Sequence, residues 1–231
     1  MFYPFLYFDQ FYLLLILPAL LISVIAQNAV NRTYKKYAKI SVDSAGSAAS
    51  TARSILNRHG LDNISIERIG GRLTDHYDPR AKTLRLSQAV HDSNSIAALG
   101  VAAHEVAHAL QHGEGYIPLR IRDSVAPLVN IVSTLAVPLF LFGMVLSMLN
   151  LVYIGIAAFT LAVAFQLVTL PIEVNASHRA LKLLESGNFV TGQEAAGSKQ
   201  VLRAAAFTYV ASTLMSIVVF LRFLLLAPRR N

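Results

Sequence analysis

Apolar residues follow two patterns along this chain. Four stretches, 11–26, 125–149, 151–170 and 204–227, are almost continuously hydrophobic, and each is about as long as the ~20 residues a helix needs to cross ~30 Å of hydrocarbon. Between the first and second, the apolar positions become periodic. Residues 42–59 read as an Ala/Ser-rich helix with Asp43 or Ser44 as N-cap and Gly60 as its stop. Ile64 and Ile66 alternate with polar residues in a strand over 63–69, closed by Gly70-Gly71. Segments 72–77 and 83–87 flank the turn signal Asp78-Pro79-Arg80 and predict a β-hairpin. A second helix starts after Ser93 or Ser95 and runs to about His112, with Gly113 as its C-cap.

The expected organisation is an N-terminal anchor (1–30), a water-facing α+β module (31–123), a transmembrane hairpin (124–171), a short water-facing loop segment (172–203) and a last transmembrane helix (204–231). The fold class is thus a mainly α integral membrane protein of about four transmembrane helices carrying one small catalytic module. Composition agrees, because 55% hydrophobic and 14% charged residues lie outside the norm for soluble domains. Nothing before Asn31 is basic, so the first stretch lacks the start of a secretory signal; Tyr3, Tyr7, Phe8 and Tyr12 resemble an interfacial aromatic belt.

The net charge of +7 resides mainly beside span ends, which argues for bilayer orientation rather than nucleic-acid binding. Arg32, Lys35, Lys36 and Lys39, then Arg120 and Arg122, Arg179 and Lys182, and Lys199 and Arg203 all fall on one side of a four-span chain. The positive-inside rule makes that side the cytoplasm. Arg229 and Arg230 depart from the rule, and Arg222 lies inside the fourth stretch; both anomalies vanish if that stretch does not fully cross.

The chain has no cysteine, so any metal must rely on histidines and carboxylates. His104-Glu105-Val106-Ala107-His108 meets that need. Two histidines at i and i+4 share a helix face and can converge on one tetrahedral zinc. Glu105, turned about 100° away, is placed to act as general base on water without ligating. A catalytic zinc takes three protein ligands. His112 is ~12 Å along the axis from His104, too far to share one ion. Glu173 is the first acidic residue after the third span, and the tight hairpin returns it toward the His104–His108 segment. The competing reading of Glu173 is a helix-end carboxylate paired with Lys182 or Arg179.

At Leu73–Arg80, Val101–Gln111 and Leu170–Ser177 the chain resembles the YugP-like family of neutral zinc metallopeptidases of bacterial membranes, itself similar to HtpX-type gluzincin membrane peptidases. The resemblance covers nearly the whole chain. It implies a zincin-like module in the cytoplasm, one Zn2+ per chain held by His104, His108 and Glu173, and Glu105 as general base. It also implies that Asp75, His76 and Tyr77 form the strand along which an extended substrate lies. HtpX-type enzymes carry an Asp four residues after the ligand Glu, and here that position is Ser177. His178 and Arg179 are open candidates for oxyanion stabilisation, Arg179 also fitting a membrane-side anchor.

The implied partners are a polypeptide substrate, membrane proteins above all, and the lipid bilayer. An intramembrane protease is disfavoured, since no Asp is followed by Gly and the helix before His104 is short. The alternative from another class is a membrane scaffold or regulator with a structural zinc, its fourth ligand drawn from His112, His76 or His178.

Overall fold

The computed structural model describes residues 12–228. Tyr3, Tyr7, Phe8, Arg229 and Arg230 lie outside the described residues. The described chain forms two compact units, one running up to Ala26 and including Ile121–Pro171 and the chain from Thr208, the other Gln27–Arg120 and Ile172–Phe207. The fold is mainly helical with one three-stranded sheet.

In the apolar unit a π-helical turn, Tyr12–Ile16, leads into α1 (Leu17–Tyr37). Among the described residues four helical stretches are long and apolar enough to cross a membrane: Leu13–Tyr37, α5 (Ile117–Val145), α6 (Leu149–Ser186) and α7 (Gly192–Leu226). Leu21, Ile25, Ile131, Phe142, Ile154 and Leu225 are each more than half exposed. Large apolar side chains displayed on this scale mark a surface made for lipid or for another protein.

The α5–α6 hairpin closes on two glycines. A Cβ on Gly155 would lie 2.6 Å from the backbone nitrogen of Phe140, and one on Gly143 would lie 2.6 Å from that of Val152. This close approach is the small-residue packing that membrane helices use in place of hydrophobic exclusion. Phe140, wholly buried, stacks on Phe223 of α7 with centroids 4.1 Å apart.

The second unit is built around α4 (Ile96–Gly113), whose Ala97, Ala98, Leu99, Ala102, Ala103, Val106 and Ala107 are buried. Ser95 caps its start, accepting from the Ala98 N–H at 3.3 Å. The sheet has the order β1 (Ser65–Ile69), β3 (Thr83–Ser87), β2 (His76–Asp78). The expected hairpin is present as antiparallel β2 and β3, with Tyr77 opposite Leu84. β1 pairs parallel to β3, Ser65 opposite Thr83. Thus β2 is an edge strand.

Three expectations need correction. The first helix of this unit, α2, is Ala48–Arg58 with Ser47 as N-cap, not a helix from Val42. The preceding backbone is taken by a long-range pairing, Ser41 bridging Ser95 and the Val42 N–H donating to Asn94 O at 3.0 Å. A short α3 (Gln88–His91) that the pattern did not predict follows β3, capped from afar: Asp75 accepts from the Ser87 N–H at 2.7 Å and from its hydroxyl at 3.1 Å.

The third correction concerns 171–203, expected as a loop. Pro171 lies inside α6, and the chain stays helical to Ser186, then resumes as α7 at Gly192. Proline removes one helical donor, but Ile172, Ala176, Ala180 and Leu184 recur every four residues and are wholly buried. Burial of that stripe outweighs the break.

Replacing Gly155 with Val should lower the melting temperature of the detergent-solubilised protein, by the ~1–3 kcal/mol typical of overpacking. The exposed neighbour substitution Ile154→Val should stay within about 0.5 kcal/mol, and equal melting of the two variants would contradict the close-packed hairpin.

Candidate metal centre

Three side chains from two helices meet in the second unit. His104 and His108 lie one turn apart on the α4 face left uncovered by the alanine core, and Glu173 reaches them from α6. His104 Nε2 is 3.2 Å and His108 Nε2 3.4 Å from the same oxygen, Glu173 Oε2. The imidazoles stand edge to face, centroids 4.7 Å apart. Glu173 is 4% exposed, while the two rings are partly exposed. Among the described residues this is the group of His, Asp and Glu donors able to hold one ion, all three ligand atoms lying within 4.8 Å of one another.

The donor set fits zinc in both chemistry and size. Ligands ~2.0–2.1 Å from a tetrahedral ion stand about 3.4 Å apart, close to the 3.2 and 3.4 Å that separate the two histidine nitrogens from Glu173 Oε2. The other ring nitrogens are engaged: His108 Nδ1 is 3.0 Å from Gln111 Oε1, and His104 Nδ1 is 3.4 Å from the hydroxyl of buried Ser177. Each ring therefore turns Nε2 toward Glu173. Burial acts to lower the His108 pKa, but the Glu173 hydrogen bond and the nearby charges of Glu105 and Glu173 outweigh it and raise it. This is the signature of a carboxylate-rich pocket that favours a cation.

Glu105 does not join the cluster. Its carboxylate accepts from the backbone N–H of Tyr77 on β2 at 3.0 Å. That N–H therefore points off the sheet, and Glu105 sits against the free edge of β2. Burial raises the Glu105 pKa, His104 and His108 partly offsetting the effect. A carboxylate so placed is a stronger base than one in water.

The remaining expected site residues lie outside the three-donor cluster. Asp75 is committed to Ser87. His76 is exposed, its Nδ1 2.8 Å from the Thr74 carbonyl. Tyr77 places its hydroxyl 3.4 Å from Nδ1 of exposed His112 and lines a cavity of about 520 Å³ with Leu61, Asn63, Lys82 and His112. His178 is exposed. Arg179 donates to Asn175 Oδ1 at 2.9 Å and to Glu114 at 2.6 Å, so Glu173 is not its ion-pair partner.

Sequence reasoning did not assign a role to Gln111, which is wholly buried between the helices. The available signal was a glutamine three residues after His108, in a helix whose other polar side chains are Glu105 and the histidines.

Long apolar helices together with a His-His-Glu donor set define a membrane-type helical protein with a candidate metal centre. Comparison with known proteins specifies the class. Residues 12–228 match the model of the family described as "Putative neutral zinc metallopeptidase", and the chain belongs to that family. It is 46% identical over 215 residues to the Bacillus subtilis (strain 168) protein named "Putative membrane protease YugP", covering 93% of this chain and 96% of that relative. No solved structure matches.

Glu173→Ala should strip most of the zinc from purified protein in metal analysis, because two histidines alone leave the ion under-coordinated. His112→Ala should leave zinc content unchanged; the reverse ranking would place the ion elsewhere.

Proposed function

We propose that this chain is a membrane-bound zinc metalloendopeptidase of the gluzincin kind, hydrolysing peptide bonds of membrane or membrane-associated proteins on the cytoplasmic side of a bacterial membrane. The observation that carries it is the convergence of His104, His108 and Glu173 within 4.8 Å, with Glu105 held just outside the donor set. His104 and His108 through Nε2, and Glu173 through its carboxylate, would hold one zinc per chain. Zinc, when bound, supplies a Lewis acid that acidifies water and polarises a carbonyl oxygen.

The rest of the chemistry belongs to the chain. Glu105, made more basic by burial, takes a proton from the attacking water as the C–O bond forms and delivers it to the amine nitrogen as the C–N bond breaks. Its Oε2 holds the Tyr77 N–H, its other oxygen serves the water proton, and an arriving strand displaces Oε2 from that N–H. The released N–H, on the free edge of β2, is then available to a substrate carbonyl, so an extended polypeptide adds to the sheet through backbone bonds. Such recognition suits segments that are already unfolded.

Three donors, rather than a closed set of four, favour catalysis over a structural zinc. The cytoplasmic side follows from the basic clusters flanking the apolar stretches. Membrane-protein substrates follow from sequence proximity, since Glu173 stands three residues after the apolar stretch ending at Leu170.

Glu105→Gln should retain zinc and lower cleavage of an unfolded protein ~10²–10⁴-fold, the usual contribution of a general base; full activity in that variant would remove Glu105 from the mechanism. A reporter fused after Asn231 should read as external, and a cytoplasmic reading would eliminate the fourth crossing and the topology built on it.

A further inference from the structure

The hydrogen bonds around Gln111 have a direction, and Arg179, three side chains away from His108, helps to set it. A guanidinium can only donate. Arg179, tied to Glu114 at 2.6 Å, donates from Nε to Asn175 at 2.9 Å, which makes the receiving atom of Asn175 the oxygen. Gln111 Nε2 lies 2.9 Å from that same oxygen and 3.1 Å from the Ile172 carbonyl. Both are acceptors, so the amide nitrogen must face them; the reverse orientation would leave two buried acceptor pairs in conflict. Gln111 Oε1 is left facing His108 Nδ1 at 3.0 Å. An amide oxygen carries no hydrogen, so Nδ1 holds the ring proton. The lone pair of the neutral ring is then on Nε2, the nitrogen turned toward Glu173.

We propose that Gln111 is the positioning residue of His108: with Asn175 and Arg179 it forms a one-way hydrogen-bond relay, anchored at Glu114, that fixes which ring nitrogen His108 offers to a metal. The proposal rests on the metallopeptidase reading. Metal-binding histidines usually secure this orientation through a carboxylate or a backbone carbonyl; here a neutral amide, oriented by the Ile172 carbonyl and through Asn175 by Arg179, does so. His104 has no equivalent. Its Nδ1 partner is the Ser177 hydroxyl at 3.4 Å, which can donate or accept and dictates no tautomer.

The test is zinc affinity of the full-length, metal-stripped protein in detergent, titrated with Zn2+ against a fluorescent chelator. Gln111→Leu is expected to weaken binding ~10–100-fold, and Ser177→Ala to weaken it less. Gln111→Glu keeps an acceptor for the Nδ1 proton while losing both donated bonds, so it should recover most of the affinity. A glutamine that merely clamps α4 to α6 would not be rescued, and equal losses in the Leu and Glu variants would overturn the relay. Should the Glu variant fail to fold, Arg179→Met decides, since it removes the orienting donor and leaves Gln111 and His108 in place: several-fold weaker binding supports the relay, unchanged binding overturns it. Wild-type protein that took up no zinc would instead bring down the metallopeptidase reading itself, whereas zinc-binding wild type with an unaffected Gln111→Leu variant would bring down only the relay.

Discussion

The carboxylate of Glu173 is almost completely buried, and a buried charge is stable only where the surroundings compensate it. It faces two imidazole nitrogens, at 3.2 and 3.4 Å, that the i, i+4 spacing of one helix sets side by side, and a cation held by the three would compensate it. Much of the second unit follows from holding that contact. α4 must present a His-Glu-x-x-His face, so its other faces are alanines and valines thin enough to pack closely. α6 must remain helical beyond Pro171 to bring Glu173 into register, and its buried four-residue stripe secures that. Polar groups between the two helices are bonded in series, from Glu114 through Arg179, Asn175 and Gln111 to His108.

Glu105 shows how one helix assigns two different tasks to neighbouring side chains. A rotation of about 100° per residue carries it out of the donor set, and the Tyr77 N–H receives it there. The general-base candidate and the free edge of the sheet are thereby in direct contact. A single hydrogen bond, from the Tyr77 N–H to Glu105 Oε2, joins the two. Asp75, by contrast, acts on architecture: its carboxylate caps the start of α3 and so supports the strand segment that carries Tyr77.

Much of this was legible beforehand, and the legible parts share a cause. The four apolar stretches, the turn at Asp78-Pro79-Arg80 and the helix bearing His104 and His108 are written in local periodicity and local turn chemistry, which depend on residues close in the chain. Glu173 was reachable by combining topology with ligand count. Family membership then identified zinc as the metal implied.

What the tertiary structure decided are the features whose energy comes from distant partners. α2 starts late because Val42 is bonded to Asn94; β1 runs parallel to β3, a pairing no hairpin signal announces; α6 passes through a proline because one face is buried along its length. Gln111 joins His108 to residues 61 and 64 positions further along the chain, Ile172 and Asn175. Sequence by itself determined which residue types were available and which helix face or strand would carry them, since those follow from backbone geometry. Which of them meet, and in which hydrogen-bonding sense, was decided only by packing, because a buried polar group takes its role from the partners that folding brings to it.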